Sequence, residues 1–186
     1  MPVEKSAGAV IFTQHHFSEK SSRQKQHTKN GAGFRKEPRT TPTSREVRDR
    51  GSKPLFLLLH YPSNAKSPKE YWDLPKGHIK KGEKEIETVK REVEEETGLK
   101  DIEFVEGFKE WIKYFFKFEG KNIFKFVTFY LAQTKEKKVK ISEEHIGYKW
   151  LPYEEALEQL TFKNAKRILK KANNYLIRSG NKNAMA

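Results

Sequence analysis

Residues 77–99 read GHIKKGEKEIETVKREVEEETGL, from Gly77 to Leu99. The apolar positions Ile86, Val89 and Val93 recur at intervals of three and four residues, the spacing of one helical face. The pattern predicts an amphipathic helix that starts near Glu83 and stops at Gly98. At about 100° per residue, Glu92, Glu95 and Glu96 fall within roughly 100° of one another, about a quarter-turn from the apolar stripe. One helix therefore has a core face and a carboxylate face. Like charges at these spacings repel by a few tenths of a kcal/mol per pair, and they crowd the helix end that the dipole makes unfavourable for acids. Something must compensate. A hard divalent cation would do so, because Mg²⁺ takes oxygen ligands and pairs with substrate phosphates; a solvated acidic face is the plain alternative.

The spacing decides between them. Gly77, five residues, Glu83, seven residues, then Arg91, Glu92, Val93, one residue, Glu95, Glu96, one residue, Gly98 and Leu99 match every fixed position of the Nudix hydrolase signature. The resemblance implies an α/β fold, an α/β/α sandwich around a mixed β-sheet. It also implies a metal-dependent enzyme that cleaves a nucleoside diphosphate linked to another group. Family membership alone does not give the substrate.

Composition sets the frame around this stretch. A chain of 186 residues suits one domain spanning its whole length, with a sizeable core. The absence of cysteine excludes disulfides, thiolate metal sites and cysteine nucleophiles, and it fits a reducing interior. No apolar run approaches the roughly 18 residues of a membrane span, and MPVEKSAGAVIF lacks a signal-peptide pattern. A cytoplasmic monomer without membrane contact is expected. The net charge of +13 should attract polyanions, whether nucleotides, polyphosphates or nucleic acid.

Over half of that excess sits in one segment, because residues 19–53 hold 11 Lys or Arg against 4 Asp or Glu. From Ser18 to Lys53 the chain shows neither helical nor strand periodicity and has few large apolar groups. It reads as an inserted, mobile basic loop. Such a loop can serve as an electrostatic arm for RNA, or only as a solubilising insertion, since Phe34 is its one aromatic residue.

Elsewhere the elements are regular. SAGAVIF, Ser6 to Phe12, reads as a buried strand, and PLFLLLHY, Pro54 to Tyr61, as a central strand covered on both faces. A turn-rich connection then leads through YWDLPK to Gly77, where Lys76 sits between Pro75 and Gly77, placed to contact a phosphate. Ile102–Phe118 and Asn122–Gln133 read as strands joined in a hairpin at Glu119-Gly120-Lys121. Their aromatic density is high, and Lys113, Lys117 and Lys125 interleave with the rings. Most of these aromatics must be core, with one or two left to stack a base. An acidic loop and short strand over Ser142–Leu151 precede two helices, from Tyr153 to Leu160 and from about Phe162 to Ile177.

Several short blocks narrow the resemblance. SAGAVIF, WDLPKGH, VEGFKEWIKYFF, KFVTFYLA and SEEHIGYKWLPYEEALEQLTFK resemble the asymmetrically cleaving diadenosine tetraphosphate hydrolases of the animal and archaeal type. That resemblance covers nearly the whole chain except residues 14–53. It implies that Glu92, Glu95 and Glu96 hold Mg²⁺, or Mn²⁺, which the same oxygens would satisfy. It casts Tyr114 as an adenine-stacking side chain with Phe162 on the other side of the base, and Lys76 and Lys125 as polyphosphate contacts. For Tyr114 and Phe162 the alternative is core packing. Glu95 and Glu144 both stand as the base, and Glu144 can equally be a solvated loop residue. Arg91 and Glu83 would orient neighbouring carboxylates, while Gly77 and Gly98 set the backbone at the two ends of the motif.

The reaction expected is attack of a metal-activated water on a bridge phosphorus, giving ATP and AMP from diadenosine tetraphosphate. Removal of pyrophosphate from triphosphorylated RNA 5′ ends would use the same carboxylates. A domain that binds nucleotide or RNA without hydrolysis would be marked by a broken acidic triad, and here the triad is intact.

Overall fold

The computed structural model describes residues 2–14, 53–63 and 69–183. The basic loop expected over residues 18–53 lies outside them apart from Lys53. Seven strands are described, in chain order β1 (Val3–Gln14), β2 (Pro54–Tyr61), β3 (Tyr71–Asp73), β4 (Lys76–His78), β5 (Ile102–Phe118), β6 (Lys121–Thr134) and β7 (Gly147–Pro152). Three helices accompany them: α1 (Glu85–Thr97), α2 (Tyr153–Gln159) and α3 (Lys163–Asn183).

The sheet runs β3-β2-β1-β6-β5, with β4 also paired to β1 and β7 to β2. β1 and β6 are parallel over ten residue pairs, from Val3 opposite Phe124 to Phe12 opposite Gln133. Every other pairing is antiparallel, so the sheet is mixed. β1 extends beyond the apolar run Ser6–Phe12 at both ends because its ladder with β6 begins at Val3 and its antiparallel pairing with β2 continues through Gln14 after the hydrophobic pattern ends.

Alternation along β1 sends Ala7, Ala9 and Ile11 to one side and Val10 and Phe12 to the other. The small alanines let α1 approach closely, and Val89 and Val93 pack there with Leu57, Leu99 and Ala132. On the opposite face Val10, Phe12, Phe56, Leu58, Phe129 and Leu131 meet Ala156 and Leu160, then Ala165, Ile168, Leu169 and Ala172 of α3. The result is the expected α/β/α sandwich. β2 is covered on both sides, since Phe56, Leu57, Leu58 and Leu59 are all fully buried.

Each end of α1 has a local cause. The Glu87 carboxylate accepts the Lys84 N–H at 3.0 Å, and Gly98 takes the left-handed conformation, φ 70°, while donating to the Glu94 carbonyl at 2.9 Å. α3 runs six residues beyond the expected end at Ile177, to Asn183. The expected stop came from the loss of apolar periodicity, yet helical backbone continues because nothing in SGNKN blocks it. Among the described residues no helix is long and apolar enough to cross a membrane.

Candidate active site

β4 lies against β1 and brings the chain into the first turn of α1 with Gly77 facing that helix. A Cβ on Gly77 would lie 1.8 Å from Glu92 Cδ, so only glycine lets the Glu92 carboxylate rest on this backbone. One turn further along, Glu96 is 5 % exposed. Its Oε2 accepts the Lys76 N–H at 3.0 Å, and its Oε1 lies 3.4 Å from the Tyr61 hydroxyl and 3.6 Å from His145 Nε2. Burial pushes the Glu96 carboxyl up to about 8; Lys76 opposes this, and Glu92 and Glu144 add to it.

Arg91 gathers the remaining carboxylates. Its Nε and Nη2 donate to the two oxygens of Glu83 at 2.7 and 2.9 Å, and Nη1 reaches Glu92 at 2.6 Å and Glu95 at 2.9 Å. Nη2 also donates to the His78 carbonyl at 3.1 Å, which fixes the guanidinium to β4. The hydrogen bonds from Arg91 hold the Glu83 carboxyl down at about 2. The repulsion expected among the helix acids is thus relieved for Glu92 and Glu95 by a guanidinium.

Lys76 forms a 2.7 Å ion pair with Asp73, and its ammonium lies 4.9 Å from the centre of the Tyr61 ring. Burial pulls that ammonium down, but Asp73, with Tyr61 and Glu96, more than offsets it, so Lys76 stays charged. Tyr61 stacks on Tyr71 at 4.8 Å, and Tyr71 meets Phe162 at 5.2 Å. Phe162 is placed by its neighbour: Trp72 donates to Thr161 Oγ1 at 2.9 Å, and Thr161 N–H returns to the Trp72 carbonyl at 3.1 Å. Lys125 lies 3.6 Å from Glu4 and 3.5 Å from His78 Nε2.

These groups enclose a cleft of about 960 Å³. Lys76, Gly77, Arg91, Glu92, Glu95, Glu96, Tyr114, Lys125, Glu144 and Phe162 all line it, whereas Glu83 and Gly98 stand behind it. The cleft also takes in Tyr61, Tyr71 and Asp73, which sequence reasoning did not single out. Buried His145 was missed as well; it bonds Ser142 Oγ through Nδ1 at 2.9 Å, and among the described residues its Nε2 has no hydrogen-bond partner. Asp73 had a faint signal in its place three residues before Lys76; the others had none.

Among the described residues no three His, Asp or Glu side chains already converge on one point as a cage. The donor chemistry nevertheless fits a hard divalent cation. Glu92, Glu95, Glu96 and Glu144 all line the cleft, and burial, with Glu92 and Glu144 adding to it, lifts Glu96 to about 8, a cost that a cation would offset.

The NUDIX domain profile matches residues 45–172. The chain belongs to the Nudix family. A Mus musculus bis(5′-nucleosyl)-tetraphosphatase of the asymmetrical kind is 36 % identical over 125 residues, 65 % of this chain and 80 % of that protein. An RNA pyrophosphohydrolase of a Nitratiruptor species is 33 % identical over 100 residues, 49 % of this chain and 64 % of its own length. The crystal structure of a C. elegans Ap4A hydrolase binary complex superposes with a TM-score of 0.63 at 24 % identity, covering 94 % of this chain and 98 % of that one. That likeness establishes the fold. This Nudix chain is a pyrophosphohydrolase with relatives of both the tetraphosphatase and the RNA-directed kind.

Proposed function

We propose that this Nudix hydrolase cleaves dinucleoside polyphosphates, above all diadenosine tetraphosphate, to ATP and AMP. The observation that carries this reading is that one cleft is lined together by the helix carboxylates Glu92, Glu95 and Glu96, the aromatic side chains Tyr114 and Phe162, and the cations Lys76 and Lys125. Such a layout suits a ligand with a base at one end and a chain of phosphates reaching away from it. The 36 % identity to the mouse tetraphosphatase favours the same substrate.

In this reading a water oxygen attacks a bridge phosphorus, the P–O bond to the departing nucleotide breaks, and the water proton passes to a carboxylate. Mg²⁺, or Mn²⁺, held by Glu92, Glu95 and Glu96 would neutralise the phosphate oxygens and lower the pKa of the attacking water. Lys76 and Lys125 add positive charge along the bridge, and Tyr114 and Phe162 hold the adenine. Arg91 and Glu83 keep Glu92 and Glu95 in place. Glu95, about half exposed at the cleft, and Glu144 are the two acceptors for the proton.

The test is hydrolysis of diadenosine tetraphosphate with Mg²⁺ in ¹⁸O-labelled water, with products resolved by mass, for the wild type beside Glu95→Gln and Glu144→Gln. ATP and AMP are expected, with the label on one of them. The variant lacking the base should lose about 10²-fold or more in kcat together with the acid limb of its pH profile. An intact wild type that leaves the dinucleotide uncleaved would sink the reading. Triphosphate-ended RNA is then the substrate to compare, favoured by the 33 % identical RNA pyrophosphohydrolase.

A further inference from the structure

The β5–β6 hairpin has two faces, and only one belongs to the cleft. Ile112, Tyr114 and Phe116 point into it. The residues between them point the other way, onto the sheet face that α1 covers further along, where Glu85 of its first turn bonds Thr128 and Tyr130. Beyond that contact the face is open. Trp111 is 50 % exposed, Phe115 64 % and Val3 59 %.

Register arranges this open face in rows across three strands. Val3, Phe124 and Phe115 form one row, Lys5, Phe126 and Lys113 the next, and Ala7, Thr128 and Trp111 the third. Trp111 stacks on Phe126 with centroids 5.3 Å apart, and Phe115 packs on Phe124 at 4.9 Å, so each exposed ring is braced by a partner. The Lys113 ammonium lies 5.9 Å from the Trp111 ring centre. Lys5, Lys113 and Lys117 are exposed around the rings, and none of them forms an ion pair among the described residues. Glu85, on the same sheet face, is already held by Lys109 at 2.7 Å.

Exposed, braced aromatic rings with basic side chains between them suit a ligand that offers flat π-faces and negative charge together. We propose that this open face of β5, β6 and β1 binds single-stranded RNA, with bases stacked on Trp111 and Phe115 and phosphates on Lys5, Lys113 and Lys117. Stacking needs no particular base, and lysines tracking a backbone need no sequence, so the site would be sequence-tolerant. A second copy of the chain is a poorer occupant, because a two-fold contact would set the same lysines against each other. The inference is independent of which polyphosphate the cleft cleaves, since the two faces lie on opposite sides of the hairpin.

The test is fluorescence anisotropy of a labelled RNA of about 12 nucleotides, within the usual range of single-strand site sizes. The RNA carries a 5′-hydroxyl and the buffer contains EDTA, so that neither a terminal phosphate nor a metal recruits the cleft. Trp111→Ala/Phe115→Ala should weaken binding by about tenfold or more, as expected for losing stacking platforms. Lys113→Ala/Lys117→Ala should reduce the slope of log K against log salt by about 1.4. Glu95→Gln should bind like the wild type, and melting temperatures of all variants would show that they fold. Unchanged affinity in the ring variant would overturn the proposal, as it would assign any RNA binding to charge elsewhere on the chain. So would wild-type protein that ignores RNA but self-associates through these rings, seen by sedimentation as dimers that the ring variant abolishes.

Discussion

Glu96 is the cleft carboxylate that burial alters. In the folded, metal-free protein its carboxyl sits at about 8, against an ordinary value near 4.5. A raised carboxyl means that the folded state binds more protons than the unfolded one between those values, so its effect is loss of stability as pH rises through that window. His145 acts oppositely: burial, with Lys76 beside it, lowers it to about 4, so it costs stability as pH falls from 6.5 toward 4. The two overlap below pH 6.5, and above it Glu96 acts alone. In EDTA, the melting temperature should therefore fall as pH rises from about 6.5 to about 8. Glu96→Gln should flatten that fall, and excess Mg²⁺ should reduce it by favouring the ionised carboxylate. A wild-type profile with no fall in this range would contradict the assignment. The sequence placed Glu96 on the acidic face of the helix, but its proton affinity depends on burial and on Lys76 and Glu144 from other segments, which no local pattern records.

At the scale of elements, α1 and the β4 turn work as one unit. The carboxylate of Glu92 occupies the space a Cβ on Gly77 would need, 1.8 Å from its Cδ. A glutamate tip is flexible, so Gly77→Ala can be accommodated by swinging Glu92 away from Arg91 and the cleft. The expected outcome is a melting temperature within a few degrees of wild type and a kcat about 10²-fold lower, the usual cost of a misplaced catalytic group. A variant with full activity would show that the close approach is dispensable. Periodicity and spacing were enough to read this helix, its glycine at Gly98 and its acids. They cast Arg91 and Glu83 as orienting neighbouring carboxylates and looked to a cation to relieve Glu92, Glu95 and Glu96, but did not show that Arg91 binds Glu83, Glu92 and Glu95 at once.

On the scale of the whole molecule, the net charge of +13 and the lysines at the cleft should draw a polyphosphate in over distances set by screening. Raising salt from about 50 to about 200 mM shortens the screening length to roughly half. KM for diadenosine tetraphosphate should then rise several-fold while kcat stays within about twofold, because steering affects encounter more than the chemical step. A salt-insensitive KM would mean that the basic surface plays no part in capture.

The sequence by itself determined the Nudix signature, the hairpin, the long buried strand Pro54–Tyr61 and the helices, because each is written in residues close along the chain. Hydrophobic alternation and the spacing of glycine and glutamate are local and survive without the fold. Only the tertiary structure decided which aromatics are core and which open, since Tyr114 and Trp111 differ by three residues along one strand and lie on opposite faces of the sheet. Tyr61 and His145 meet Glu96 from segments far apart in sequence. Their convergence depends on the strand order that sets β3 and β2 beside β1, and on burial that changes proton affinities once water is excluded.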